Sequence, residues 1–272
     1  MAKRVESPSS INTFKQCQRK YYYQYVEKLP TSKSIHLVRG NIVHSALEDF
    51  YDIDVSNFTK ENYHLNFKQK IQQLLLHHWV KEKEKLNDLG LCQDKLKFYF
   101  EESLIMTMNW ANHFTKDFSE KLQDTSMAIP DLFKHVTPIR EEFYKSEQYS
   151  VRGYIDAIRH INGEIHIIDY KTNASSELKE SIKRQLSIYC LMYLERHGKL
   201  PDKVGACFVR DRLKMIPATE DMVHNAKFEI ESIHAHTSMT ENKGDYKRTI
   251  TPLCKWRTGQ CDFYDVCGPH RY

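Results

Sequence analysis

The sequence predicts an α/β domain with a mixed central sheet, and three observations carry that expectation. Apolar residues recur at helical spacing up to about residue 122, then alternate from about residue 139. Two of the alternating runs meet at "INGE", and Asn162-Gly163 is the dipeptide that a two-residue hairpin turn favours. Beyond the hairpin come a helical pattern, a further strand and a last helical pattern, a mixture that belongs to the α/β or α+β classes.

Each element has a local reason. Residues 9–27, SSINTFKQCQRKYYYQYVE, read as one helix started by a serine cap, with Ile11, Phe14, Tyr21 and Tyr25 at helical spacing. A second helix over 40–52 has Ile42, Val43, Ala46, Leu47, Phe50 and Tyr51 as its apolar stripe. From 59 to 122 the pattern is helical and highly charged, broken at Gly90, and it ends in the Pro-bearing stretch TSMAIPDLFKHVTP. Residues 53–138 are therefore expected to form a helical insertion within one domain spanning 1–272. Strands are expected over 139–147, 150–160, 164–171 and 203–210 (KVGACFVR), with helices over 177–197 and 218–236. Gly198 and Pro201 end the first of these helices.

Composition bounds the function. No apolar run nears the roughly 20 residues that span a bilayer. The opening MAKRVESPSS lacks the apolar core of a signal peptide, so a cytoplasmic location and no membrane partner are expected. In a reducing compartment, seven cysteines point to a metal, a cluster or burial rather than to disulfides. A net charge of +4 permits nucleic-acid binding without requiring it, so local clustering must make that case.

The hairpin carries the chemistry. Strict alternation puts Tyr154, Asp156 and Ile158 on one face of the second strand, and Ile165, Ile167, Asp169 and Lys171 on one face of the third. The turn sets Asp156 and Asp169 on neighbouring strands at similar distances from it. Two carboxylates and an ammonium at one sheet end suit Mg²⁺ or Mn²⁺, which prefer hard oxygen ligands. The alternative is a surface ion pair between Asp156 and Lys171. "RGNIVHSALEDFY" places His44 and Glu48 one helical turn apart, a pattern that a packed histidine also gives. "KRQLSIYCLMY" places Gln185 and Tyr189 one turn apart on an amphipathic helix with a polar edge.

In this order, "SSINTFKQCQRKYYY", "RGNIVHSALEDFY", "GYIDAI", "IIDYKT", "QLSIY" and the terminal cysteines resemble the PD-(D/E)XK nuclease superfamily, in its RecB-like exonuclease branch. The resemblance implies a restriction-endonuclease-like core: a mixed sheet flanked by helices, here with a helical insertion and a cysteine-stapled C-terminus. It implies that His44, Asp156 and Asp169 bind the catalytic metal and that Lys171 is the catalytic lysine. Gln185 and Tyr189 match the family's Q-x3-Y helix, which helps place DNA. Asp169 stands where many relatives have Glu. A further acidic residue before the hairpin is either Glu141 or Glu142.

The cysteine intervals are wide. Six residues separate Cys254 from Cys261 and five separate Cys261 from Cys267, neither of which is the C-x2-C of a zinc knuckle. His270 and Cys92 are local alternatives for a fourth ligand, whereas Cys190 and Cys207 lie in apolar stretches and read as buried small hydrophobes. The resemblance to CRISPR-associated iron–sulfur exonucleases implies a 4Fe–4S cluster on Cys17, Cys254, Cys261 and Cys267, with Zn²⁺ on the same thiolates as the alternative. Segment 250–272 would then pack against 9–27.

The first forty residues carry Lys3, Arg4, Lys15, Arg19, Lys20, Lys28, Lys33 and Arg39 against Glu6 and Glu27. Beside Tyr21, Tyr22, Tyr23 and Tyr25 this suits single-stranded nucleic acid, with bases stacked on rings and phosphates on cations. The tyrosines equally suit a packing face. Arg19, Lys20, Tyr21 and Tyr22 are the expected contacts, and Lys255, Trp256, Arg257 and Arg271 add a second basic-aromatic patch. The expected function is a Mg²⁺- or Mn²⁺-dependent DNA exonuclease with single-strand preference and 5′→3′ polarity, and possible partners are repair or CRISPR adaptation proteins. A non-catalytic DNA-end adaptor with a nuclease-like fold is the alternative, and an RNA substrate is not excluded.

Overall fold

The computed structural model describes residues 4–240, 242–257 and 259–268. Lys3, His270 and Arg271, singled out above, lie outside them. The chain starts with α1 (Pro8–Gln16), capped by Ser7 in a reciprocal capping box with Ser10 and opened by Pro8 at its first position. The single helix expected over 9–27 is instead broken. Cys17 is extended (φ −164°, ψ 113°) and separates α1 from α2 (Gln18–Tyr21), which passes into a π-helical turn, Tyr22–Val26. The periodicity survives such a break because Ile11, Phe14 and Tyr21 all still reach one core.

Next comes α3 (Ile35–Asp49), five residues longer at its start than its apolar stripe indicates, because Ser34 caps it by accepting from Leu37 N. The segment expected as an insertion holds α4 (Tyr63–Lys81), α5 (Lys83–Asn87), α6 (Gln93–Gln123) and α7 (Ile129–Val136). Gly90, at φ +64°, makes the turn between α5 and α6. The Pro-bearing stretch is helix α7, with Pro130 in its first turn.

Strands β1 (Ile139–Ser146), β2 (Val151–Ile161) and β3 (Glu164–Lys171) follow. Asn162 and Gly163 both take positive φ, 52° and 84°, as a tight hairpin turn with the sheet's twist requires. Helix α8 (Glu180–His197) then crosses to β4 (Lys203–Phe208), which runs parallel to β3. A short strand that the pattern does not announce, β5 (Leu213–Pro217), pairs antiparallel with β4 at the sheet edge. Half-exposed along its length, it lacks the buried alternation that would mark it. The five strands lie in sequence order, followed by α9 (Glu220–Met239), the two-residue strands β6 (Lys255–Trp256) and β7 (Gly259–Gln260), and α10 (Tyr264–Cys267).

The sheet has a core on each face. α1, α8 and α9 pack on Ile155, Ile158, Ile165, Ile167 and Val204, while α3 and the insertion pack on Ala157, Ile168 and Tyr170. Strict alternation fails in β2: Val151 and Ile155 share a core with Ile158, but Ala157 belongs to the other. Tyr154 is exposed while Ile158 is buried, so Tyr154, Asp156 and Ile158 do not share a face. The phase changes at Asp156. Among the described residues no helix is long and apolar enough to cross a membrane.

Candidate active site

The phase change has a visible cause. The β1–β2 ladder pairs Arg140 with Ala157 and Glu142 with Ile155, and skips Glu141 and Asp156 between them. Glu141 takes φ +46°, a left-handed backbone that costs a non-glycine residue roughly 1–3 kcal/mol. The kink directs its carboxylate to the end of the sheet. His44, Glu141 and Asp156 each offer one ligand atom there, all within 4.8 Å of one another. Glu142 turns elsewhere, pairing with Arg196 at 2.9 Å and accepting from the Tyr144 hydroxyl at 3.0 Å. Of the two adjacent glutamates, Glu141 therefore joins the cluster. Alternation could not select it, because alternation assumes a regular strand.

Asp156 Oδ2 accepts from Tyr170 N at 2.7 Å and lies 3.6 Å from His44 Nδ1. On β3, Lys171 Nζ is 2.6 Å from Asp169 Oδ2 and donates to Gln185 Oε1 at 2.9 Å. Gln185 Nε2 reaches Asp169 Oδ1 at 2.8 Å and the Tyr189 oxygen at 2.7 Å. Tyr189 is buried, and its hydroxyl donates to Asp169 Oδ1 at 3.5 Å. What Gln185 and Tyr189 touch is thus the Asp169–Lys171 pair, so their effect on a substrate passes through that pair. His44, Glu141, Asp156 and Lys171 open on a cleft of about 480 Å³, lined also by Asn41, Glu48 and Asn173, while Asp169, Gln185 and Tyr189 lie behind it. Glu48, one turn beyond His44 on α3, was legible from the helical spacing.

Electrostatics make the cluster short of positive charge. Burial, then Asp169, push the Asp156 carboxyl well up, with Glu141 adding and the Tyr170 N–H and Lys171 opposing. Burial, Glu48 and Asp169 likewise raise Glu141. Burial lowers His44, which favours the neutral imidazole that ligates metals. A divalent cation would relieve the carboxylate repulsion; the two carboxylates suit Mg²⁺ or Mn²⁺, and the His44 nitrogen favours Mn²⁺ of the two. Arg140 fixes the surrounding frame. It grips Asp52 with two bonds of 2.9 and 2.7 Å and also donates to the Glu48 carbonyl, tying β1 to the end of α3.

Where the N- and C-terminal segments meet, Cys17, Cys254, Cys261 and Cys267 line one recess of about 40 Å³. Thr249 bridges two of them, its N–H donating to Cys17 Sγ at 3.5 Å and its carbonyl accepting from Cys254 Sγ at 3.8 Å. Burial first, then Cys17, raise the Cys267 thiol. Among the described residues no three of these sulfurs lie within 4.8 Å of one another. Cys92 is exposed on the insertion, and Cys190 is buried, its thiol pushed up to about 12 by desolvation.

The expected stacking face needs correction. Tyr21 is fully buried, its hydroxyl donating to the buried Glu6 at 2.5 Å, so it offers no face to a base. Tyr22 is half-buried against Tyr23 and Tyr246. Arg19 donates to the Tyr246 carbonyl at 2.9 Å, while Lys20 borders the cysteine recess. The aromatic side packs because Tyr21 shares one core with Ile11 and Phe14.

A sequence model of the PD-(D/E)XK nuclease superfamily matches residues 6–268. The chain belongs to that superfamily. It is also similar to an ATP-dependent helicase/nuclease subunit from Lactococcus lactis subsp. cremoris (strain SK11), at 31% identity over 110 residues. That stretch is 38% of this chain and only 9% of the much longer relative. Among solved structures, a Eubacterium rectale protein described as a candidate exonuclease shares the fold, with a TM-score of 0.51 at 13% identity, covering 98% of this chain and 94% of that one.

Proposed function

We propose that this nuclease-superfamily chain is a divalent-metal-dependent deoxyribonuclease that cleaves phosphodiester bonds at DNA ends, with preference for single strands and 5′→3′ polarity. The observation that carries the reading is the meeting of His44, Glu141, Asp156 and Lys171 at one open cleft, with Asp169 buried behind Lys171. His44, Glu141 and Asp156, with Asp169 beside them, would hold the metal. Bound there, it would supply Lewis acidity and lower the pKa of a bound water. Lys171 is placed to orient the attacking water or to balance charge developing on the phosphate. Gln185 and Tyr189 keep Asp169 and Lys171 in register, and the Tyr170 N–H holds Asp156. Repair, recombination or CRISPR-type end processing is the proposed setting, and the partial likeness to a helicase/nuclease subunit favours the first two.

For the cysteine recess the proposed occupant is a 4Fe–4S cluster. Support comes from the four free thiols on one recess. Zn²⁺ on the same four thiolates is the alternative occupant. The test is digestion of end-labelled single- and double-stranded DNA with Mg²⁺ or Mn²⁺, against EDTA and Asp169→Ala. Metal-dependent loss of label in the wild type alone is expected. Binding without cleavage under every metal would replace this reading with the adaptor.

A further inference from the structure

On the other side of Tyr170 from the active-site cleft lies a second cavity, of about 280 Å³, between the sheet and α6. Its walls are Trp110, Phe114, Tyr51 and Tyr170, and Arg159 of β2 reaches into it. Trp110 and Phe114 are stacked with an offset on one another, at 13° and 5.4 Å, and form one aromatic wall. Arg159 breaks the local rule of this face, whose other β2 and β3 residues are Ala157, Ile168 and Tyr170.

A half-buried guanidinium ordinarily has an anionic partner. Among the described residues, no carboxylate lies within ion-pair distance of Arg159. The polar groups around it cannot stand in for one. Burial raises the Tyr51 and Tyr170 hydroxyls and pushes the Cys207 thiol up to about 12, so all three stay neutral. Asp117, on the rim, is exposed. Further cations border the opening: Arg212, itself paired with Asp211, lines the cavity, and Lys121 and Lys203, the latter paired with Glu164, line an adjoining recess of about 450 Å³ that shares Arg159.

We propose that this cavity is a second nucleotide site, taking a phosphate on Arg159 and a base against the Trp110–Phe114 wall. An anion is the missing counter-ion, and the aromatic wall selects a flat ring beside it. The choice of a nucleotide rests on the nuclease reading, since the cleft sharing Tyr170 would release such products. A free mononucleotide and the phosphorylated end of a strand present the same chemistry.

The test uses the full chain in EDTA, so that no turnover occurs, with dAMP, a 5′-phosphorylated trinucleotide and inorganic phosphate as calorimetric titrants. dAMP or the trinucleotide is expected to bind, and whichever binds more tightly identifies the free nucleotide or the strand end as the natural source. Arg159→Gln should weaken that binding by about ten-fold or more, the loss of a charge-assisted hydrogen bond. This variant should melt no lower than wild type, because it removes an unpaired charge, and it should keep wild-type cleavage. Absence of binding by both nucleotides, undiminished binding by Arg159→Gln, or equal binding of inorganic phosphate would each overturn the site. Cleavage intact without nucleotide binding refutes this inference alone, whereas absent cleavage refutes the nuclease reading.

Discussion

Replacing Asp156 by Asn should make the metal-free protein more stable while abolishing cleavage. Asn keeps the oxygen that accepts from Tyr170 N and removes only the charge. With ligand atoms of Asp156 and Glu141 within 4.8 Å, two unit charges at that separation repel by about 3.5 kcal/mol at an effective dielectric of 20. Lys171 and water at the cleft mouth offset half or more of this, leaving about 1–2 kcal/mol, or on the order of 3–6 °C in melting temperature. The pH dependence follows from the raised Asp156 pKa. Because the folded state favours the protonated acid, the cost is absent below the unfolded pKa, grows as pH rises through the folded pKa, and is full above it. Thermal melts in EDTA should therefore separate the variant from wild type at pH 8 and bring them together towards pH 4. Excess Mg²⁺ or Mn²⁺ should reverse the order at pH 8, adding about 2.7 kcal/mol to wild type at a hundred-fold excess over Kd and little to the variant. An Asp156→Asn protein less stable than wild type in EDTA at pH 8 would refute the repulsion argument.

Other substitutions probe separate parts of the site. Glu141→Gln should lose the metal-induced thermal shift and at least ten-fold in cleavage, whereas Glu142→Gln should retain both, since Glu142 is committed to Arg196 and Tyr144; equal losses would contradict the assignment. Tyr189→Phe removes one donor to Asp169, and should lower kcat by about ten-fold or less with KM little changed, corresponding to about 1 kcal/mol; a KM effect alone would instead indicate direct substrate contact. Cys17→Ser should abolish the visible absorption of an anaerobically purified cluster and lower stability by about 4 kcal/mol if the recess closes the chain ends together. Retained iron and sulfide in that variant would count against Cys17 as a ligand.

The order of motifs was legible along the chain, and so were the hairpin and the neighbouring placement of Asp156 and Asp169. These depend on local chemistry: Asn-Gly at a tight turn, β-branched runs in strands, a Ser cap on a helix. They also placed Asp169 and Lys171 on one face of a regular strand, although the ion pair that the sequence suggests is Asp156 with Lys171 and the structure pairs Lys171 with Asp169. Tertiary structure decided what regular geometry cannot encode. Glu141 enters the cluster only through a left-handed backbone, and the same irregularity moves Tyr154 away from the face of Ile158. Tyr21 reads in sequence equally as a stacking or a packing residue, and the tertiary structure puts it in one core with Ile11 and Phe14, its hydroxyl on Glu6. Arg159 reads in sequence as an ordinary strand arginine, and only the packing of α6 over the sheet encloses it without a counter-ion. Periodicity reports which face a side chain shares within one element, but whether that face meets solvent, a core or a cleft depends on elements distant in sequence.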